Sequence, residues 1–302
     1  MADTFTGTAG TVNDGVYRQE WESKLQERLN YPQNWKEICN VIYTNSRYVN
    51  VPYMSTLPVT TGVGVGTRGT AYAYQDFAMT NQAMSIGTTT IVPMYVDRAD
   101  MAQCAYLNQM EMASLQATLI NEAIETAVLA AAISATNVGD TGGGAIGLGS
   151  TAITVSASNI DDIIRGVRRL ITKYNGQDLA GRNGIFFVWR PEDFELLEAF
   201  VQANGFTSAD TALKNGAVAG LHYMGVDHYV SNSTDTTTNG HIFAGVKKLM
   251  TVGILGETYG KVVVNQDPGQ KSGIGVVTRG DYGTLIPTNY LPVLFDINVT
   301  AI

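Results

Sequence analysis

The sequence is poor in charged side chains. They make up 15% of its 302 residues, whereas an ordinary soluble domain has about 25%. A monomer needs charge at its surface to stay soluble, but surfaces that are buried between subunits are depleted in it. The composition therefore favours a chain that buries much of its exterior against copies of itself. A simple bias toward alanine, glycine and threonine is the alternative interpretation.

Cysteine, cationic residues and long apolar runs are also scarce. Cys39 and Cys104 lie far apart, which predicts free thiols in a reducing compartment. Nineteen lysine and arginine residues against 27 aspartate and glutamate residues give a formal charge of −8, which argues against a protein that grips nucleic acid through its phosphates. Residues 1–10 have no basic segment, and the best apolar stretch, 127–135, is far shorter than a membrane span. We therefore expect neither secretion nor membrane insertion.

Two glycine patterns match the spelling of a dinucleotide-binding loop. One is Gly64-x-Gly66-x-x-Gly69, and the other spans residues 142–147. The mechanism of such a loop needs a strand before it and a helix directly after it. A predicted strand follows the first pattern and a Ser/Thr-rich turn follows the second. Both patterns are therefore predicted to be turns.

The sequence predicts no catalytic, cofactor-binding or metal site, and no enzymatic activity. Its histidines are His222, His228 and His241, and the even spacing of the first two would place them on one face of a strand. A metal centre needs further ligands at matching spacing, which are missing, so structural histidines are predicted. Nucleophile, zinc-protease and phosphate-loop motifs are absent as well.

The N-terminal residues read as an arm that carries a short helix. Residues 1–15 show no apolar period, whereas Trp21, Leu25 and Leu29 form a single stripe on a predicted helix over residues 17–29. An apolar stripe on one side of a helix has to be buried against another surface. These three residues are therefore candidate intersubunit contacts.

Residues 47–96 read as strands joined by glycine-rich turns, and they predict a long hairpin. Few large aliphatic residues occur along it, so the hairpin lacks a core of its own and needs support from a neighbour. Arg68 is the only charged residue between Tyr48 and Tyr74. We predict that it forms a salt bridge to an acidic neighbouring surface, with Gly64, Gly66 and Gly69 shaping the contact.

The remaining elements indicate a mixed α+β chain without a βαβ rhythm. A long helix is predicted over residues 97–135, with a break near residues 107–109, and a glycine-rich joint follows at 137–151. A second helix is predicted to be capped by Ser158 and ended by Asn175-Gly176, ahead of a buried strand at 184–189 and a helix that starts at Pro191. Later strands are predicted at 221–231, 241–252, 261–265, 273–279 and 293–299.

This order of elements carries a family resemblance. The stretch TIVPMYVDRADM leads from the hairpin into the long helix, and NEAIETAVLAAAISATNVGDTGGGAIG leads from that helix into the joint. NIDDIIRGVRRLITKYNGQDLAGRNGIFFVWRPEDFELLEAF forms the helix–strand–helix module, and MGVDHYVSNSTDTTTNGHIFAGVKKLMTVGI and TRGDYGTLIPTNYLPVLFDI form the closing strands. The ordered set resembles the tailed-phage major capsid family, which has the Hong Kong 97-type fold that encapsulin shells share.

The resemblance implies an N-terminal arm at 1–46, an E-loop at 47–96, a peripheral domain at 97–136 and 255–302, and an axial domain at 137–254. It implies pentamers and hexamers in an icosahedral virion shell around double-stranded DNA, which is held without sequence-specific binding. Portal and scaffolding or cement proteins would be partners, assembly would occur in the host bacterial cytoplasm, and no membrane would be involved. An encapsulin compartment is the main alternative, with a nucleotide-binding enzyme and a secreted β-rich surface protein less favoured.

Two further expectations depend on the resemblance. Some members join subunits by an isopeptide bond from an E-loop lysine, but this sequence has no lysine between Lys36 and Lys173, so that chemistry is not expected. The long helix would lie along the inside of the shell. Glu111, Glu122 and Glu125 are therefore predicted to face the lumen and repel phosphate, unless they are simply solvent-facing helix residues.

Overall fold

The computed structural model describes residues 33–54, 79–98, 109–134, 152–203, 222–234, 239–266 and 272–300. The predicted arm helix, the tip of the hairpin, the first part of the long helix and the glycine-rich joint lie outside these residues. No helix within the described ranges is long and apolar enough to cross a membrane.

The first sheet is built around one long strand, β11 (Gly273–Leu285). Its members are β1 (Asn40–Thr44), β4 (Thr88–Asp97), β9 (Thr251–Leu255), β10 (Lys261–Gln266) and β11 (Gly273–Leu285). β4 runs antiparallel along one edge of β11, whereas β10 and β9 share the opposite edge. β1 extends the sheet as the parallel neighbour of β9.

One face of the first sheet is covered by helix α2 (Gln109–Ser134), in which strong helix formers dominate. The Gln116 amide donates hydrogen bonds of 3.0 Å to the Val92 and Val276 carbonyls and accepts one of 2.5 Å from Thr278. In the sequence, Leu115 and Leu119 belong to one apolar face that the residue spacing predicts for this helix. The structure instead buries Gln116, Ile120 and Ile124, because apolar residues occur on nearly every side of this helix and its sequence period alone could not select a face.

The second sheet has the strand order β12-β8-β5-β7-β6. Its members are β5 (Ile185–Trp189), β6 (His222–Tyr223), β7 (Val226–Val230), β8 (Asn239–Val246) and β12 (Leu294–Thr300). β5 and β7 are parallel, and the other pairs are antiparallel. The proposed domain division put residues 294–300 in the peripheral part, but their hydrogen bonds join them to β8. The sequence period could not show this, because strand pairing depends on distant partners.

Three helices accompany the second sheet: α3 (Ile160–Lys173), α4 (Gln177–Asn183) and α5 (Pro191–Ala203). The sequence places six apolar residues of α3 at the helical period, and all six are buried: Ile160, Ile163, Ile164, Val167, Leu170 and Ile171. The helix begins one residue later than predicted, after Asn159, whose side chain accepts the Ser156 backbone N–H at 2.8 Å. After α3, Asn175 takes the left-handed conformation (φ 59°) rather than Gly176. Helix α4 was not predicted from the sequence.

The second sheet separates two apolar cores. Phe187 and Trp189 point into a core with α3 and α5, whereas Phe186 and Val188 point into a core with α2, the short helix α1 (Trp35–Ile38) and the first sheet. β5 is therefore buried on both faces, which explains why its sequence is continuously apolar rather than alternating. The apolar side chains that are buried in each of the two cores stabilise the fold through the hydrophobic effect.

The third sheet pairs β2 (Tyr48–Met54) with β3 (Met79–Ser85) in antiparallel register. It forms the base of the predicted hairpin. It rests on the first sheet at Gly283, where an added Cβ would overlap the carbonyl oxygen of Ser85. Only glycine lets the two backbones approach this closely.

Two predicted strands are divided in the structure. Residues 221–231 form β6 and β7, which are joined by a turn with positive φ at Met224 (56°) and Gly225 (71°). Residues 241–252 belong to β8 and β9, which lie in different sheets, and Lys248 in their connection has φ 62°. Both divisions need left-handed backbone at a non-glycine residue, which the sequence did not signal.

Candidate assembly surfaces

Strand β10 is an exposed apolar edge. Val262, Val263 and Val264 keep 42%, 53% and 50% of their surface exposed. Successive residues of a strand point to opposite faces, so both faces of β10 are open. Among the described residues no strand pairs with its outer edge. An apolar edge of this kind is a template for another chain.

The exposed apolar surface continues across the face of the first sheet that lies opposite α2. Val263 stands opposite Val277, which stands opposite Pro93 on β4. On the same face of β4, Ile91 and Tyr95 are 53% and 38% exposed. Contiguous apolar surface on a protein that carries so little charge indicates a contact surface. We call Ile91, Tyr95 and Val263 the sheet surface.

One ion pair borders the sheet surface. The Arg279 guanidinium donates to the Asp281 carboxylate at 2.9 Å, and the Thr89 hydroxyl donates to it at 2.5 Å. Burial by itself would raise the pKa of Asp281, but these hydrogen bonds outweigh burial and lower it. Asp281 therefore remains ionised beside an apolar surface.

Trp35, near the start of the described residues, is held in place by the buried carboxylate of Glu125. The Glu125 carboxylate on α2 accepts the Trp35 backbone N–H at 2.9 Å, and both residues are 1% exposed. Burial raises the pKa of Glu125, although hydrogen bonds from Trp35, Ser231 and Asn34 partly oppose this. The Asn34 side chain also donates to the Val230 carbonyl at 2.9 Å. The chain is thereby tied to both α2 and the second sheet.

A polar cluster links α1 to the second sheet close to this anchor. The Lys247 ammonium donates to the Tyr229 hydroxyl at 2.6 Å and to Asp227 at 2.5 Å, and Tyr229 donates to Glu37 at 2.8 Å. Burial lowers the pKa of Lys247, but its bonds to Asp227 and Tyr229 outweigh burial and raise it. The cluster is a satisfied structural network whose lysine stays charged.

Comparison with known proteins gives a result at the level of structure only. No protein-family model matches the sequence, and no curated protein matches it. Solved structures do match along almost the whole chain. The structure from Mycobacterium phage Che8 has a TM-score of 0.67 at 15% identity and covers 94% of this chain and 98% of its own. The capsid of the native GTA particle has a TM-score of 0.69 at 12% identity and covers 98% and 100%.

The mature capsid of bacteriophage PhiM1 matches with a TM-score of 0.62 at 13% identity, over 95% of this chain and 93% of its own. The chain has the fold of tailed-phage major capsid proteins. The predicted fold class is thereby confirmed, and the likeness, at 15% identity or less, is one of fold. The finer divisions into arm, E-loop, peripheral domain and axial domain stay predictions.

Within this capsid fold, all seven of the predicted contact residues lie outside the described residues. These are Arg68, Gly64, Gly66 and Gly69 of the hairpin and Trp21, Leu25 and Leu29 of the arm. The described base of the hairpin is consistent with a projecting element, since Tyr48 and Met79 are 70% and 57% exposed. The contact roles of the seven residues stay predictions.

The prediction of lumen-facing glutamates does not fit two of the three positions. Glu122 and Glu125 on α2 are 8% and 1% exposed, so neither presents a charge to solvent in the described chain. Glu125 is used instead to hold the backbone of Trp35. Glutamate is common in helices whichever way it faces, so the sequence carried no signal for this burial. Glu111 lies on the same helix, and its predicted role stays a prediction.

His228 and His241, which could have served in catalysis or metal binding, instead contact other side chains within the fold. The Trp189 indole N–H donates to Nδ1 of buried His228 at 2.8 Å, and His241 Nδ1 lies 2.8 Å from Asp296. His222 and His228 are on separate strands, so the predicted shared face is wrong. Within the described ranges, no group of three or more His, Cys, Asp or Glu residues could hold a metal ion.

Cys39 is a free and buried thiol. Burial raises its pKa to about 12, the charge of Glu125 adds to the rise, and Lys248 partly opposes it. A thiol that stays protonated is a poor nucleophile and a poor metal ligand. Cys39 therefore contributes to packing rather than to chemistry.

Proposed function

We propose that the chain is a major capsid protein that self-assembles into the icosahedral shell around the double-stranded DNA genome of a tailed phage. The observation that carries the proposal is the match over 93–100% of the length of chains from Che8, PhiM1 and GTA particles. A match over a whole chain compares the complete architecture rather than a single module. The function of such a subunit is geometric, because repeated contacts that close by symmetry form a container.

The exposed surfaces support the proposal. The sheet surface and the hairpin base present large apolar side chains to solvent, and the sequence has little charge with which to keep a monomer soluble. Contact with neighbouring subunits would bury these side chains. We further propose that the arm and the hairpin add contact area that a compact domain lacks.

The proposed partners are copies of the chain in pentamers and hexamers, a portal, and scaffolding or cement proteins. Packaged DNA would be enclosed without sequence-specific binding, which accords with a formal charge of −8. Assembly would take place in the host cytoplasm. In this role the chain would need neither a cofactor nor a catalytic site.

Electron microscopy of the purified protein tests the proposal. Expression of the chain, with its scaffold if one is encoded beside it, should produce closed icosahedral particles. A protein that stays monomeric at high concentration under all assembly conditions would contradict it. Particles from infected cells should contain nuclease-protected double-stranded DNA of genome length. Particles filled with a protein cargo instead would favour the encapsulin alternative.

A further inference from the structure

Two outer edges of the first sheet, β4 and β10, differ in how well they are protected against pairing with another chain. Natural sheets keep their edges apart with proline, charge and bulges. β4 contains Pro93, and an edge strand holds proline where the missing N–H would face solvent. β10 has no proline, its only charge is Lys261 at its first residue, and its register with β11 runs through six consecutive pairs without a bulge. The edge of β10 is therefore open to a further strand.

The residues of β10 fit a second copy of β10 in antiparallel orientation. A two-fold axis through Val263 would place Val263 opposite its own copy and Val262 opposite Val264 of the other copy. All three exposed valines would then meet valines, and Lys261 at each end would stand opposite Asn265, an uncharged side chain. Parallel pairing in register would instead set the two Lys261 ammonium groups side by side, which is unfavourable.

Other antiparallel registers fit less well. An axis at Val262 would set Val263 opposite Lys261, and an axis at Val264 would set Val263 opposite Asn265. Either shift would lose contacts between valines, which are the apolar surface that the edge has to bury. The axis at Val263 is therefore the register that the sequence of β10 favours.

The two faces of the sheet would also continue across the pairing. Val262 stands opposite Thr278, which bonds to Gln116 of α2, so Val262 and Val264 lie on the α2 side of the sheet. Val263 lies on the other side, in the sheet surface. A two-fold axis perpendicular to a sheet keeps each face on the same side in both copies. The two α2 helices would thus share one face, and the two sheet surfaces would share the other.

We propose that β10 pairs with β10 of a second copy, antiparallel across a two-fold axis at Val263, so that the two first sheets merge into one. The inference rests on the proposed shell function and names the partner of this exposed edge. Residues 1–15 of the arm are a weaker candidate, because they show no apolar period to match three valines.

The pairing is expected to be weak between free subunits. It spans Lys261–Asn265 of each copy, which buries far less than the roughly 1,600 Å² of a standard stable interface. In a shell, the other contacts would hold the two strands at a high effective concentration. The pairing is therefore best measured in particles, or in subunits at high concentration.

Cysteine cross-linking tests the axis. Val263→Cys is made together with Cys104→Ser, which leaves buried Cys39 as the only other thiol. Directly opposite residues of an antiparallel pair have Cβ atoms about 4.5–5.5 Å apart, so a short thiol cross-linker should join two copies into a dimer on a denaturing gel. Ile91→Cys in the same background is the matched control, because Ile91 has the same exposure, 53%, and lies on the same face. It is on β4, five strand spacings or about 24 Å from its copy across this axis, so Val263→Cys should give at least about tenfold more dimer.

Charge pairs test the register. Val262→Lys with Val264→Glu would bring opposite charges together at two points of the pairing, and so would Val262→Glu with Val264→Lys. Two lysines or two glutamates at these positions would bring like charges together. We expect the two oppositely charged variants to associate at a concentration at least about tenfold lower than both like-charged variants, which separates pairing from net charge. Sedimentation measures association, and circular dichroism confirms folding.

The outcomes separate the pairing from the shell. The pairing is overturned if Val263→Cys cross-links no better than Ile91→Cys, or if the like-charged and oppositely charged variants associate equally. Cross-linking that appears only after deletion of residues 1–15 would also overturn it, because the arm would then cover the edge. If particles form normally in these cases, the shell proposal stands. If the cross-linked dimer and the charge dependence are found but the parent never forms closed particles, the pairing stands and the shell proposal fails.

Discussion

At the scale of single residues, Glu125 holds a charge inside the molecule. Its pKa is raised, so the folded chain binds a proton there more readily than the unfolded chain. Stability is therefore lost as the pH rises from the ordinary glutamate range through the raised pKa, and the loss is complete above it. Glu125→Gln keeps an oxygen to accept the Trp35 N–H but removes the charge. We expect it to raise the free energy of unfolding at neutral pH by about 1 kcal/mol.

Urea unfolding of the unassembled subunit across a series of pH values measures this effect. The advantage of Glu125→Gln over the parent should shrink as the pH falls toward the ordinary glutamate range, because the parent then becomes protonated. Glu192→Gln, at an exposed position, should differ little from the parent at any pH. A difference for Glu125→Gln that stays constant with pH would exclude a titrating buried carboxylate.

Gly283 is the residue on which the base of the hairpin rests. An alanine Cβ there would overlap the Ser85 carbonyl oxygen, and a backbone atom cannot swing aside as a flexible side chain can. We expect Gly283→Ala to lower the free energy of unfolding by about 1–3 kcal/mol. The matched control is Gly181→Ala in α4, where a Cβ would meet nothing within 4 Å. This control should raise stability by about 0.5–1 kcal/mol, since alanine favours the helix. Equal effects from the two substitutions would contradict the close contact.

At the scale of elements, we expect substitutions on β10 to affect assembly far more than folding. Its valines are about half exposed, so the isolated subunit gains little from them. We expect Val263→Lys to change the free energy of unfolding of the subunit by less than about 0.5 kcal/mol. The same change should reduce the particle yield at least about tenfold, because it buries an unpaired charge in the contact. Val263→Thr keeps the β-branched shape without the charge and should assemble far better than Val263→Lys. Normal particles from the lysine variant would show that β10 stays exposed in the shell.

At the scale of the whole molecule, we predict that the base and the tip of the hairpin have different roles. The base is fixed by the pairing of β2 with β3 and by the contact at Gly283. Deletion of residues 62–69 should therefore leave a folded subunit with nearly unchanged stability that cannot close shells. Gel filtration and electron microscopy measure the two properties. Arg68→Lys is the control that keeps both length and charge. Normal particles from the deletion would refute a role for the tip in trans.

The buried position of Glu125 changes how DNA packaging can be tested. Replacement of Glu111, Glu122 and Glu125 together by lysine would place cations at two buried positions and would damage the fold. Only Glu111 remains a suitable position at which to test a phosphate-repelling helix. In the proposed shell, the property that would favour easy release of DNA is the formal charge of −8 of the whole chain rather than these particular glutamates.

The sequence alone determined the features that depend on the spacing of apolar residues within one element and on backbone restrictions at single residues such as proline. The six apolar positions of α3, the continuously apolar β5 and the start of α5 at Pro191 were all predicted correctly. Each reflects burial or backbone restriction that acts within a few residues, so a single window of sequence is sufficient. The ordered set of elements was then enough to predict the fold.

Tertiary structure alone decided which distant segments meet. It assigned β8 and β9 to different sheets, joined β12 to β8, and turned Gln116 rather than Leu115 toward the strands. It also placed the Glu125 carboxylate against the Trp35 backbone N–H. Strand pairing and the burial of a charge are settled by partners that are tens to hundreds of residues away, so no local pattern could have revealed them.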